Sequence, residues 1–419
     1  MKFRIDGKDL FEACSLVMPW TPNKTFQFSN CIQLVANDTS QSVGFAAANL
    51  EEWTKIEKQA MVEKAGTVLL EERQLTALAR QFADESFEFE LLPSGDQLKI
   101  STQYGNFTLS SIPFELPEPP DISPEAVFDL NAKDLLTAIK HLLVSTSTGT
   151  SGLRLAEECV FATVRPEGCF ELFGTDGNRL SYCKLSAIDL VCPDALTCTF
   201  VVKHLKDLVG LLNRKDKIRV SIGRKQVEFL ASGVSVTVQL AAVESPLRPT
   251  MIDEFIEFKP MLTMTLSRNK MASILGFFKV ISSDKEHGRT TFRERFDESM
   301  ISLELSEEGH GGTYSIPIKE WSHETPQGLS PRELVDGLTF QVGYLLDPLE
   351  VIPDEEIILS IKDYDDKARI QAVEDKEGEP IIRHLMMPCI TEERKARRAE
   401  LLRARASAEP GDTEQQQKP

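Results

Sequence analysis

Phe3-Arg4-Ile5-Asp6-Gly7-Lys8-Asp9-Leu10-Phe11-Glu12-Ala13 places apolar residues first at alternate positions and then at three- and four-residue spacing. Alternation is the pattern of a half-buried strand, and the wider spacing is that of an amphipathic helix. The same succession returns at Phe128-x-Leu130-x-x-x-Asp134-Leu135-x-x-Ala138 and at Met264-x-Leu266-x-x-x-Lys270-Met271-x-x-Ile274. The copies begin 125 and then 136 residues apart, which is a domain-sized interval and not that of a short-period solenoid. The chain reads as triplicated.

Working outward, each third carries a second strand-to-helix junction: Val68 to Leu78, Phe200 to Leu208 and Phe340 to Leu346. Alternating runs such as Phe87 to Leu91, Val227 to Leu230 and Ile357 to Ile361 surround them and read as antiparallel strands with one solvated face. Each third is therefore two copies of strand, helix, several strands, with two helices covering one face of antiparallel sheet. The fold class is α+β. Proline and acid interrupt the pattern at Pro113 to Pro120 and at Pro246 to Thr250, which sets domains at 1–122, 123–250 and 251–390. Beyond Ile390 a basic cluster (Arg394, Lys395, Arg397, Arg398, Arg403, Arg405) leads into a polar end, so residues 391–419 read as a solvated tail, with an accessory arm for DNA or a partner as the alternative.

A length of 419 residues fits three domains of ordinary size. No window approaches the roughly 20 consecutive apolar residues of a membrane span, and Met1 to Leu10 lacks the apolar run of a signal peptide, so a cytoplasmic protein is expected. The cysteines, Cys14, Cys31, Cys159, Cys169, Cys183, Cys192, Cys198 and Cys389, are scattered without a C-x-x-C pair and read as small buried apolar residues. No metal site or cofactor is expected. The formal net charge of −18 argues against indiscriminate adhesion to nucleic acid, but it leaves room for one local basic face. No P-loop, G-x-S-x-G or H-E-x-x-H string is present, and His141, His204, His287, His310, His323 and His384 stand far apart. Asp363-Tyr364-Asp365-Asp366 reads as a solvated turn rather than a metal cluster, and the protein is not expected to be an enzyme.

Several strings, in order, carry a resemblance. Gly174-Thr175-Asp176-Gly177-Asn178-Arg179-Leu180-Ser181 resembles the A-T-D-G-H-R-L-A segment of the bacterial sliding clamp, the β subunit of DNA polymerase III. The opening Met1-Lys2-Phe3 accords with it. Phe107 to Pro113 is similar to that family's F-x-L-x-T-L-P, Phe340 to Leu346 to its F-N-x-x-Y-L-L, and Leu385 to Ile390 stands where V-M-P-M-R-L usually closes the chain. The resemblance spans residues 1–390.

It implies three repeated DNA-clamp domains and a head-to-tail ring homodimer that encircles double-stranded DNA as a processivity factor in DNA replication. The ring would tether the catalytic subunit of DNA polymerase III, the clamp loader and other proteins bearing clamp-binding motifs. Carried over residue by residue, the partner-peptide pocket would comprise Leu155, Thr175, Gly177, Asn178, Arg179, Leu180, Pro246, Met251, Gln341, Tyr344, Leu385, Met387, Pro388 and Cys389. The DNA-facing cations would be Lys24, Arg73, Arg80, Lys133, Lys140, Lys203, Lys206 and Lys270, and the dimer seam would hold Lys99 against Val280, Ile281, Glu307 and Glu308.

The chain departs from that family where Asn178 replaces a histidine, Gln341 an asparagine, and Cys389-Ile390 a Met-Arg pair. These mark a divergent member with an altered pocket. The alternative is a monomeric scaffold that binds replication or repair partners without encircling DNA.

Overall fold

The computed structural model describes residues 1–17, 30–147, 155–212, 216–282, 284, 288–307, 310–324, 330–363, 366–376, 378–392, 394–396 and 399. Among them are the helices α1 (Gly7–Val17), α2 (Glu72–Gln81), α3 (Ala132–Leu142), α4 (Val202–Leu212), α5 (Pro249–Ile256), α6 (Arg268–Ile281), α7 (Pro331–Val335) and α8 (Val342–Val351). The class is α+β, as expected, and the strand pairings of the described residues are antiparallel.

The triplicated pattern has a local cause. Strands Lys2–Asp6, Pro124–Asn131 and Leu262–Ser267 run directly into α1, α3 and α6, and each ends on a helix-capping residue three places after its first apolar position. Asp6 Oδ1 accepts the Lys8 N–H at 2.9 Å, Asn131 Oδ1 that of Lys133 at 2.9 Å, and Ser267 Oγ that of Lys270 at 3.5 Å. A capping side chain satisfies an amide that the first helical turn leaves unpaired. Helical spacing then buries Leu10, Ala13, Cys14 and Val17 in α1, and Leu135, Ala138, Ile139 and Leu142 in α3. The second junctions feed α2, α4 and α8 from strands Gly66–Glu71, Leu196–Val201 and Thr339–Gln341.

Contacts divide the chain into two compact units. The first comprises Met1–Ile139, Thr148–Glu171 and Leu185–Glu244; the second comprises Lys140–Ser147, Leu172–Lys184 and the chain from Ser245 onward. In the first, a five-stranded sheet runs Met61–Lys64, Lys2–Asp6, Ser86–Leu91, Gln97–Ser101, Asn106–Ser110. A nine-stranded sheet in the same unit pairs Val234–Gln239 with Glu52–Gln59, Val236 opposite Thr54, and so joins the first and central thirds of the sequence. In the second unit, strand Arg179–Ser186 pairs through Arg179 to Lys184 with Ile381–Met386, Leu180 opposite Leu385. Strands Ala368–Ala372, Glu356–Ile361 and Leu262–Ser267 follow in order. The central third thus contributes strands to both units. The core of the second unit is a continuous cluster including Met264, Leu275, Phe278, Leu345 and Leu359.

Two helices were not legible in the sequence. α5 begins at Pro249, inside the stretch read as a linker, because proline at the first helical position supplies a fitting φ and lacks only an amide with no partner there. α7 is set by a capping box in which Glu333 N–H donates to Ser330 Oγ at 3.3 Å and Ser330 N–H to Glu333 Oε2 at 2.8 Å.

The eight cysteines are free, and burial pushes the Cys14 and Cys198 thiols up to about 12, which keeps both protonated at neutral pH. Among the described residues no helix is long and apolar enough to cross a membrane.

Arg394 departs from the solvated reading of the tail: it is only 3% exposed. Its guanidinium donates to the Leu334 and Asp336 carbonyls, both at 2.8 Å, closing the C-terminal end of α7. A cation there meets the negative end of the helix and its unpaired carbonyls. Arg394→Ala leaves those carbonyls without a donor and is expected to lower the unfolding free energy by about 1–3 kcal/mol in urea titration, whereas Lys395→Ala, at an exposed neighbour, leaves the transition in place.

Candidate functional site

A hydrogen-bonded turn joins strands Cys169–Thr175 and Arg179–Ser186. Asp176 Oδ1 accepts the Asn178 and Arg179 amides at 3.0 and 2.9 Å, and Thr175 Oγ1 accepts the Gly177 amide at 3.1 Å. Gly177 sits at φ 87°, a left-handed conformation that a Cβ would strain. The turn feeds Leu180 into its pairing with Leu385, and both side chains are buried. The Met387 amide donates back to the Asn178 carbonyl at 2.8 Å, so the chain following strand Ile381–Met386 is tied to the same turn.

These residues floor a cavity of roughly 230 Å³. Thr175, Gly177, Asn178, Arg179 and Leu180 line one side, and Leu385, Met386 and Met387 line another. Pro246 and Leu247, Phe255 from α5, and Lys367 complete it. The lining belongs wholly to the second unit. Met387 is 40% exposed, which puts a flexible thioether at the surface beside the buried Leu385 and Met386.

Arg179 holds the turn to α8. Its Nε lies 2.7 Å from Asp176 Oδ2 and an Nη 2.7 Å from Asp347 Oδ2, with the guanidinium 4.8 Å from the centre of the Tyr344 ring. Burial works against the charge, but the hydrogen bonds to Asp347 and Asp176 outweigh it and raise the Arg179 pKa above its ordinary value.

Eight residues expected from the sequence meet here: Thr175, Gly177, Asn178, Arg179, Leu180, Pro246, Leu385 and Met387. Tyr344 touches the site through Arg179. Gln341 occupies the position before the first turn of α8 without a capping side-chain hydrogen bond, and the Cys389 amide donates to the Thr339 carbonyl at 2.7 Å, with Pro388 just before it. Leu155 belongs to the first unit, on a 3-10 turn and 64% exposed. The Met251 side chain lies outside the described residues. Phe255, Lys367, Leu247 and Met386 were missed. Phe255 could have been found from the proline start of α5, whereas Lys367 is adjacent only through the sheet.

Behind the floor runs a buried polar chain. Ser181 stands opposite His384 in the strand pairing, and Ser181 Oγ lies 2.9 Å from His384 Nδ1. His384 Nε2 lies 2.9 Å from His141 Nδ1, and Ser181 Oγ 2.7 Å from Ser145 Oγ. The fold thus joins two histidines that sequence spacing kept apart. Burial, followed by the Lys140 charge, pushes the His141 imidazole down to about 4. Burial, then His141 and Arg179, holds His384 well below the ordinary range.

Of the expected DNA-facing cations, Arg73 and Arg80 on α2, Lys133 and Lys140 on α3, Lys203 and Lys206 on α4, and Lys270 on α6 are all exposed. Lys203 is tied down: its Nζ lies 3.2 Å from Oε2 of Glu52, a wholly buried carboxylate that also accepts from Asn49 Nδ2 at 2.6 Å. Lys24 lies outside the described residues. Of the seam residues, Lys99 is exposed, Val280 is 72% exposed and Ile281 half-buried on α6, and the Glu307 side chain and Glu308 lie outside the described residues. Phe277, 55% exposed on the same helix, extends the apolar surface. Asp366, from the acidic run read as a turn, accepts its own neighbour's amide and pairs with Lys362 at 3.0 Å; Tyr364 and Asp365 lie outside the described residues.

No family model and no curated protein matches this sequence. Solved structures do match in fold. The sliding clamp of Bacillus subtilis superposes at a TM-score of 0.80 and 18% identity, covering 93% of this chain and 99% of that one. The Helicobacter pylori β clamp in complex with carprofen gives 0.80 at 15% identity, covering 93% and 100%. A Pseudomonas aeruginosa clamp bound to griselimycin gives 0.77 at 17% identity, with the same coverage.

The depressed histidines fix the sign of a pH effect. A group whose folded pKa lies below its unfolded value of about 6.5 contributes stability that is complete above that value and is lost as pH falls through the folded one. The urea midpoint is therefore expected to decline between pH 6.5 and about 4, and the variant His141→Gln/His384→Gln to lose the histidine part of that slope. From sequence pattern to strand order, the chain carries the fold of the DNA polymerase sliding clamps.

Proposed function

We propose that the protein is a DNA sliding clamp in which two copies close head to tail around double-stranded DNA and tether replication enzymes by short peptides. The observation that carries this reading is the fold likeness at a TM-score of 0.80, over 93% of the chain and the whole or nearly the whole of its neighbours. The protein acts without catalysis, in the cytoplasm, as a processivity factor for DNA replication.

In this reading the cavity on Leu180 and Leu385 is the partner-peptide pocket, with Gln341, Tyr344, Pro388 and Cys389 completing its surroundings. Its occupants are the DNA polymerase III catalytic subunit, the clamp loader and other proteins with clamp-binding motifs. Adaptable methionines beside fixed leucines suit a surface that accepts several peptides. Arg73, Arg80, Lys133, Lys140, Lys206 and Lys270, with Lys203, face the DNA. Contacts of this kind are individually weak and salt-labile, and a closed ring can slide on them because retention is topological. Lys99 meets the Val280 and Ile281 face of the partner copy across the seam, with Phe277 adding apolar area that exposed ion pairs do not supply.

Light scattering across a dilution series tests closure. A mass near twice the 46.9 kDa of one chain that persists on dilution is expected, and Val280→Asp is expected to convert it to monomer. A wild-type monomer with unimpaired peptide binding would favour the non-encircling scaffold. For the pocket, Leu180→Ala with Met387→Ala is expected to weaken partner peptides roughly tenfold or more in fluorescence anisotropy while leaving the dimer mass unchanged. Unchanged affinity would remove the pocket assignment.

A further inference from the structure

We propose that the first unit holds a second partner-peptide site, at the turn from Asn49 to Trp53, for peptides that carry an apolar residue between an acidic and a basic one. The choice of a peptide rests on the pocket reading above; the cavity and its charges stand apart from it.

The internal repeat builds one framework twice. Asn49 Oδ1 accepts the Glu51 and Glu52 amides at 2.8 and 2.9 Å, as Asp176 Oδ1 accepts those of Asn178 and Arg179. The Gln239 amide donates to the Glu51 carbonyl at 2.7 Å, as the Met387 amide does to that of Asn178. Four residues after the side chain that braces it, each turn sets a strand residue opposite a partner: Trp53 opposite Thr237, and Leu180 opposite Leu385. A cavity of roughly 670 Å³ opens at the first of these turns, and its lining belongs wholly to the first unit.

The lining differs where the repeat has diverged. Trp53 stands in the place of Leu180, and Gln239 in that of Met387. Leu50, 53% exposed, Trp53, Pro120 and Ile122 supply apolar surface. Arg224 and Lys225 enter from the hairpin loop before strand Gln226–Ala231, and Asp121 and Glu125 from the start of the central third. All four are exposed, and among the described residues no salt bridge engages any of them. The loop is nevertheless fixed: the Leu240 amide donates to the Lys225 carbonyl at 2.8 Å, and the buried Gln226 side chain donates to the Pro120 carbonyl at 2.7 Å. One cavity therefore presents cations and anions that do not neutralise each other. A purely apolar ligand leaves both signs unanswered, and a purely acidic one meets Asp121 and Glu125 with like charge. An apolar residue flanked by one charge of each sign answers the whole lining.

The test uses the full chain and fluorescein-labelled octapeptide amides with a central leucine flanked by glutamate and lysine in either order, together with twins carrying glutamine at both places. Glutamine keeps the length and removes the charges. At low salt at least one order is expected to bind roughly fivefold or more tightly than its glutamine twin, with the difference shrinking as salt rises. The preference should persist in Leu180→Ala/Met387→Ala, which removes the apolar floor of the first pocket, and vanish in Arg224→Gln/Lys225→Gln, at an exposed loop outside the core. Equal binding of the charged peptides and their twins to the wild-type chain overturns the proposal; this comparison needs no variant. A preference that Arg224→Gln/Lys225→Gln retains, or that Leu180→Ala/Met387→Ala abolishes, overturns it as well. The first pocket is read by partner peptides at Leu180 and Met387, so the two readings fail separately.

Discussion

The register of one strand pair sets the second unit. Arg179–Ser186 meets Ile381–Met386 so that Leu180 faces Leu385 and Ser181 faces His384. Because side chains alternate across a strand, this register puts the leucines on the cavity floor and sends the serine and histidine to the opposite face. A slip by one residue would exchange the faces, placing hydroxyl and imidazole in the cavity and the leucines among polar partners. The turn at Asp176 and Gly177 excludes that slip by fixing where the strand begins, and the bond from Met387 to Asn178 pins the far strand to the same point.

Charge is distributed with comparable economy. Arg179 is held by the half-buried Asp176, and the exposed Lys203 by Glu52, a carboxylate that the fold has withdrawn from water. Such pairs fix geometry more than they stabilise, since desolvation offsets most of the attraction. Lys367 is more buried than Lys203, and its ammonium lies over the Phe255 ring.

The fold was legible wherever its cause is local. The alternations at Phe3, Phe128 and Met264 announced strands that run into helices, and Asp6, Asn131 and Ser267 explain why the helices begin where they do. The Thr175 to Leu180 string carried most of the pocket, because a tight turn and the strand after it are written in consecutive residues. What the sequence hid is long-range. Nothing near Glu52 indicates its pairing partner Val238, and nothing near His141 points to His384. Pro249 suggested a linker because proline more often breaks a helix than starts one, and Arg394 looked solvated because its acceptors are backbone carbonyls, which no sequence motif displays.

The central claim is topological, and retention on DNA addresses it most directly. The protein would be loaded on a nicked circular plasmid and passed through a gel-filtration column at moderate salt, before and after the circle is cut once. Co-elution with the circle and release on linearisation is the result expected of a ring held by closure rather than by affinity. Failure to remain on the circle once loaded, or equal retention on circular and linear DNA, would contradict it.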